Sequence, residues 1–234
     1  MRRAVLFLIA LAITLILLLP MRLALGWVVL DAHGIAASGV RGSVWNATIE
    51  QMRVGALPLG TLDAALSPLP LLVGRIRLDL ARHGGIDGDL TGAITLGRAD
   101  IAIDDLTGTI PVAALFAPLP IAALELDQMH VHFVGHRCTE ADGRVRARLA
   151  GTIPDIALSQ GLSGALRCDG GQARMALTSQ SGREHLDVTI DARGRYVADI
   201  RIVDPDPTIA PALVESGFTS VAGGYRRHVA GGIE

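Results

Sequence analysis

Past residue 30 the hydrophobic period of the chain is two, the period of a strand whose side chains alternate between faces. Arg75-Ile76-Arg77-Leu78-Asp79-Leu80 alternates polar with apolar, and so do Ala99 to Asp104 and Arg144 to Leu149. His185 to Asp191 and Arg195 to Ile202 repeat the pattern near the end. Turn-forming groups punctuate these runs: Gly84-Gly85, Asp87-Gly88, Asp142-Gly143, Asp169-Gly170-Gly171, Ser181-Gly182 and Arg193-Gly194. Short strands so separated predict successive antiparallel hairpins. One face is apolar and the other rich in arginine and aspartate, as expected of a sheet solvated on one side.

Three stretches break the alternation. Leu66 to Val73 holds two prolines and predicts a corner or short helical turn instead of a central strand. Pro111 to Leu126 reads as a short helix or an apolar connection. Ile209 to Glu215 reads as a helix, with Thr208 or Asp206 capping its start and Gly217 its end. The fold class is therefore mainly β: a single antiparallel, strongly curved sheet with one or two short helices. Two copies of Asp-Leu-Thr-Gly, at 89–92 and 105–108, predict similar hairpins and no strict repeat. With 27 glycines and few aromatics, the aliphatic face suits a closed core or an open apolar groove equally.

The first 30 residues are a different kind of sequence. Ala4 to Leu19 is uncharged behind Arg2 and Arg3, and Arg22 follows it. As a helix, residues 4–21 would be roughly 27 Å long, close to the hydrocarbon thickness of a bilayer. The flanking arginines favour a cytoplasmic N-terminus. A cleaved secretory signal competes with this reading, but Pro20 to Gly26 offers no small-residue cleavage site. The expected organisation is a signal anchor over 1–30 and a periplasmic β-rich domain over 31–234, in a single-pass protein of the bacterial inner membrane. Trp27 then falls at the membrane–water interface.

Setting aside Arg2, Arg3 and Arg22 leaves 18 basic residues, all arginine, against 23 acidic ones, a net charge of −5. That balance argues against nucleic acid as a partner. The two cysteines, Cys138 and Cys168, both fall in the exported part. An even count in an oxidising compartment predicts one disulfide, with two buried free thiols as the alternative. No C-x-x-C spacing exists to suggest a metal or redox pair.

Candidate chemistry is sparse. His130, His132, His136 and Cys138 share parity, so an unbroken strand would place four potential metal ligands on one face. Gly135 interrupts that strand, and a solvated outward face explains His130 and His132 as well. No G-x-S-x-G, H-E-x-x-H or phosphate-cradling loop is present. The acid pairs Asp104-Asp105 and Glu140/Asp142 fall in predicted turns, where carboxylates are solvated. No catalytic, cofactor-binding or metal-binding residue is nominated, and no cofactor is expected. Trp45, in Gly42-Ser43-Val44-Trp45-Asn46, is a candidate packing anchor or partner contact.

The chain resembles the type II secretion system protein N family. The resemblance rests on the N-terminal anchor leading to Gly42-Ser43-Val44-Trp45, and on Leu59-Gly60 followed by Pro68-Leu69-Pro70-Leu71-Leu72-Val73-Gly74-Arg75. Cys138 ahead of Gly143-Arg144-Val145, Cys168 after Leu162-Ser163-Gly164-Ala165-Leu166, and the closing Gly217-Phe218, Gly223-Gly224-Tyr225-Arg226 and Gly231 extend it. Asn46-Ala47 and Ala64-Ala65-Leu66 depart from the family's pattern. The resemblance implies a non-catalytic inner-membrane accessory subunit of the machine that exports folded proteins across the outer membrane. Its implied partners are other inner-membrane or periplasmic secretion subunits and the outer-membrane secretin. The chain is also similar to the anchored, AsmA-like envelope proteins, which implies a lipid ligand held in an apolar β-trough.

Overall fold

The alternating runs become strands of one antiparallel sheet in the computed structural model. It describes Arg3, Leu6, Phe7, Thr14 and residues 18–22, 34–84, 88–117, 119–149 and 161–232. The expected transmembrane helix, Trp27 and the 1–30 boundary lie mostly outside these residues. Among the described residues no helix is long and apolar enough to cross a membrane.

The elements run β1 (Ile35–Ala36), β2 (Gly39–Ser43), β3 (Asn46–Val54), β4 (Leu57–Ser67), α1 (Pro68–Leu71), β5 (Ile76–Arg82), β6 (Leu90–Leu96) and β7 (Asp100–Pro111). Then follow α2 (Ala113–Phe116), β8 (Ile121–Val134), β9 (Arg137–Leu149), β10 (Leu162–Asp169), β11 (Gln172–Thr178), β12 (Glu184–Ile190) and β13 (Arg195–Val203). A 3-10 turn (Pro207–Ile209), α3 (Ala210–Glu215), β14 (Thr219–Val221) and β15 (Gly224–Gly232) complete the order. From β3 to β13 each strand pairs with its sequence neighbour, β15 then pairs β13, and β14 lies outside β15. β1 and β2 share the outer edge of β3.

The breaks in the alternation fall where prolines and caps put them. Pro68 opens α1, and Asp206 accepts a hydrogen bond from the Thr208 N–H at the start of the turn leading into α3. Asp142-Gly143 does not form the turn its composition suggests. Both residues lie inside β9, opposite a bulge at Gln128, whose φ is 50°. A Cβ on Gly143 would stand 2.6 Å from the Met129 Cα, so the glycine is there for close approach. The bulge also inverts parity: Leu124 and Leu126 are buried before it, Val131 and Phe133 after it.

The two Asp-Leu-Thr-Gly copies face each other across β6 and β7. Leu90 pairs with Gly108 and Thr91 with Thr107. Gly92 lies against Leu106, and a Cβ on Gly108 would come within 2.7 Å of the Leu90 Cα.

The strong curvature expected of the sheet is not found; the sheet is an open ladder that is not strongly curled. Segments laid on the apolar face bury it instead. Val112, Phe116 and Leu119 around α2, and Ile209, Leu213 and Phe218 around α3, join one core with Val131, Leu166, Leu177, Val188 and Ile200 of the strands. With those insertions in place the sheet need not roll up to remove its apolar side chains from water. A second core joins Val44, Ala47, Ile49 and Ala64 to Met21 of the N-terminal segment. Between the two cores, the cross-strand row Leu66, Leu78, Ile94 and Ile103 is only half-buried.

Candidate interaction surface

Cys138 begins β9 and Cys168 lies near the end of β10, and the structure joins them with a Cα–Cα distance of 5.5 Å. β9 and β10 pair only from Leu162 opposite Ala147 to Ala165 opposite Arg144. Beyond Arg144 their ladder stops, and continued register would place Cys168 opposite Ala141 instead of Cys138. The Cys138 N–H reaches past β10 to the Gly171 carbonyl in the β10–β11 turn, at 2.8 Å. The disulfide therefore closes the seam where the backbone ladder between the two halves of the sheet is shortest.

The histidines separate. Gly135 and His136 form the two-residue turn between β8 and β9, with φ of 54° and 68°. Cys138 returns opposite Phe133 on the buried face, while His130 and His132 point to the polar one. His130 Nδ1 lies 3.0 Å from Asp104 Oδ1, and His132 Nε2 lies 3.7 Å from Asp100 Oδ2. Among the described residues no group of three His, Cys, Asp or Glu side chains is placed to hold a metal ion. Asp104, Glu140 and Asp142 belong to strands and not to turns, because the bulges in β7 and β8 absorb the irregularity that their composition suggested. Asp104 is tied into the sheet by Arg77 at 3.1 Å and Thr95 at 2.9 Å.

The polar face carries cross-strand ion pairs. Arg174 on β11 donates to Asp187 on β12 and to Asp169. Arg226 on β15 donates to Asp199 on β13 at 2.7 Å. Burial works against ionisation of Asp199. The Arg226 guanidinium, the hydrogen bond with His228 and the Arg201 charge outweigh it and hold the carboxyl below its ordinary 3.8.

Trp45 sits half-buried at the tip of the β2–β3 hairpin and packs on the core around Val44 and Met21. Two residues carry structural weight that their sequence context hides. Arg82 is buried at the end of β5 and donates to the carbonyls of Gly88 at 3.0 Å, Leu59 at 2.9 Å and Thr109 at 2.6 Å. Tyr196 on β13 donates to the carbonyl of Leu115 in α2. Nothing in an alternating run marks either one.

What remains open to other molecules is the edges. Among the described residues β14 pairs only with Gly224 to Arg226 of β15, so Arg227 to Gly232 have no outer neighbour. β1 and β2 form the other edge. An open edge presents unpaired N–H and C=O groups, ready for an added strand.

Residues 33–226 match the family model for type II secretion system (T2SS), protein N. The chain belongs to the type II secretion system protein N family. It is 27% identical over 156 residues to the type II secretion system protein N of Vibrio cholerae serotype O1, a span of 61% of this chain. The aligned span covers 62% of that relative's length. No solved structure matches the chain.

Proposed function

We propose that this protein is a non-catalytic accessory subunit of the type II secretion machine, held in the inner membrane by its N-terminal apolar run with its β-rich body in the periplasm. The family match across 33–226 carries the reading. The apolar run behind Arg2 and Arg3 supports the topology, and the Cys138–Cys168 bond suits an oxidising compartment. Pairing of a partner strand along the outer edge of β15 is the docking mode that fits an open antiparallel ladder. The partner is another inner-membrane or periplasmic secretion subunit, or the outer-membrane secretin.

One observation favours a second reading, an AsmA-like lipid trough. The row Leu66, Leu78, Ile94 and Ile103 is apolar and only half-covered, as the wall of a trough would be. Mass spectrometry of the chain purified from native membranes in mild detergent separates the two. Secretion subunits without stoichiometric lipid support the accessory role. Phospholipid or lipopolysaccharide without secretion subunits overturns it in favour of the trough.

A further inference from the structure

The end of the sheet that carries α1 exposes a group of large apolar side chains. Leu69, Leu72 and Val73 are 75%, 82% and 75% exposed, on a loop with no charged residue between Pro68 and Gly74. The row next to it, Ile76, Leu96 and Ile101, joined across β5, β6 and β7, is exposed as well. A patch of this kind on an exported domain calls for a cover.

Three further features say what covers it. The first is position. The Val44 N–H donates to the Leu19 carbonyl, and the Leu66 N–H donates to the Val44 carbonyl, at 3.0 and 2.9 Å. Leu19 is thus two strand spacings, about 10 Å, from the residue that leads into α1. Pro20 pairs antiparallel with Ser43, so the chain running back from Leu19 heads past the Trp45 hairpin tip, off this same end of the sheet. Leu19, the last residue of the apolar run, therefore stands at the end of the sheet that carries the exposed leucines.

The second feature is the backbone. Pro68 and Pro70 have no N–H. The N–H groups of Leu72, Val73, Gly74 and Arg75 are satisfied within the loop by Leu69, Pro70, Leu71 and Pro70, at 3.0 to 3.2 Å. With two prolines and four N–H groups bonded internally, the loop carries few bare amides toward hydrocarbon, where each would cost several kcal/mol. The third is charge: Arg22, Arg75 and Arg98 are exposed around the patch, and the acidic neighbour Asp100 is paired with Arg75 at 3.5 Å.

We propose that this end of the sheet rests on a phospholipid bilayer, with Leu69, Leu72 and Val73 inserted among the acyl chains and Arg22, Arg75 and Arg98 at the headgroups. The inference rests on the reading of the N-terminal apolar run as a membrane anchor. It adds a second attachment point, which fixes the orientation of the sheet on the membrane instead of leaving it to swing on a tether. Paired apolar and cationic contacts are what interfacial attachment requires.

The test uses the full chain carrying Leu72→Cys, labelled with the environment-sensitive fluorophore NBD, in vesicles of phosphatidylethanolamine and phosphatidylglycerol. The native cysteines are bonded to each other and do not compete for the label. Val214→Cys on α3 is the reference, since Val214 is 57% exposed but lies at the opposite end of the hairpins. Carbonate extraction of the same vesicles reports the anchor independently.

The expected result is retention by the vesicles, with the Leu72 label losing about half or more of its emission when the acyl chains are brominated and the Val214 label losing almost none. Retention with no quenching at Leu72 overturns the proposal and leaves the anchor standing. A blue-shifted Leu72 label that brominated lipid does not quench also overturns it, and assigns the patch to a protein partner. Release by carbonate overturns the anchor and this proposal together.

Discussion

The hydroxyl of Tyr196 donates to the carbonyl of Leu115, 81 residues earlier in the chain, and the Tyr196 ring meets Phe116 edge-on at 5.2 Å. α2 precedes β8, whereas Tyr196 belongs to β13, five strands further along the ladder. One contact therefore reaches across the apolar face and holds the cover on the core. It ties one of the two covering segments to the strands beneath it.

Tyr196→Phe keeps the ring and removes the donor, stranding the Leu115 carbonyl. We expect a loss of about 1–2 kcal/mol. Phe116→Ala should cost more, about 3–5 kcal/mol, because it empties a fully buried site. Urea unfolding midpoints measure both. A neutral Tyr196→Phe would mean that α2 is held by packing alone.

The double variant Cys138→Ser with Cys168→Ser should destabilise the protein by about 3–4 kcal/mol, the chain-entropy value for a closed loop of about 30 residues. The loosening should be local as well as global. Amide exchange at Cys138, whose N–H is bonded to the Gly171 carbonyl, should accelerate more than exchange in β12 or β13. Equal acceleration across all strands would contradict a role at the β9–β10 seam.

Arg82→Lys retains the charge but not the fork. An ammonium cannot span the carbonyls of Leu59, Gly88 and Thr109, which belong to β4, the β5–β6 connection and β7. The expected cost is about 2–4 kcal/mol in thermal or urea unfolding. A loss under about 0.5 kcal/mol, the size expected of a surface substitution, would show that water replaces those bonds.

Acid should weaken the fold through Asp199 and Asp191. For Asp191, burial opposes ionisation, but the Arg195 side chain and the N–H groups of Arg193 and Arg195 outweigh it and lower the carboxyl below 3.8. Both groups release their protons more readily folded than unfolded. Their contribution is therefore fully present above the unfolded value of about 4 and is lost as pH falls through the lower folded value. Asp199→Asn should cost about 1–2 kcal/mol at neutral pH and progressively less as pH falls through the folded value, where the parent carboxyl is also protonated. A penalty that stays constant with pH would show that the charge is not what matters.

Much of this architecture is legible in the sequence because a sheet solvated on one side writes its period directly into the chain. Arg75 to Leu80 and Arg195 to Ile202 read as strands and are strands. The prolines at 68 and 70 mark α1, and Asp206 marks the cap before α3. Asp142-Gly143 misleads because a glycine that permits close approach inside a bulge has the same letters as one that permits a turn. Arg82 is invisible because a buried arginine at the end of an alternating run looks like its solvated neighbours, and only the tertiary fold brings Leu59 and Thr109 to it. Curvature is illegible for a similar reason: small side chains permit a tight curl, but whether one is needed depends on what α2 and α3 cover.

The facing Asp-Leu-Thr-Gly copies have a consequence for how the strands find their alignment. Written antiparallel, the two tetrapeptides form a palindrome about the Thr91–Thr107 pair, each glycine making room for the leucine of the other copy. Shifting β6 by a single residue in either direction removes both accommodations at once, so an error cannot be half-right. Duplication along the chain has become a local two-fold axis in space, and that symmetry proofreads the alignment of β6 on β7.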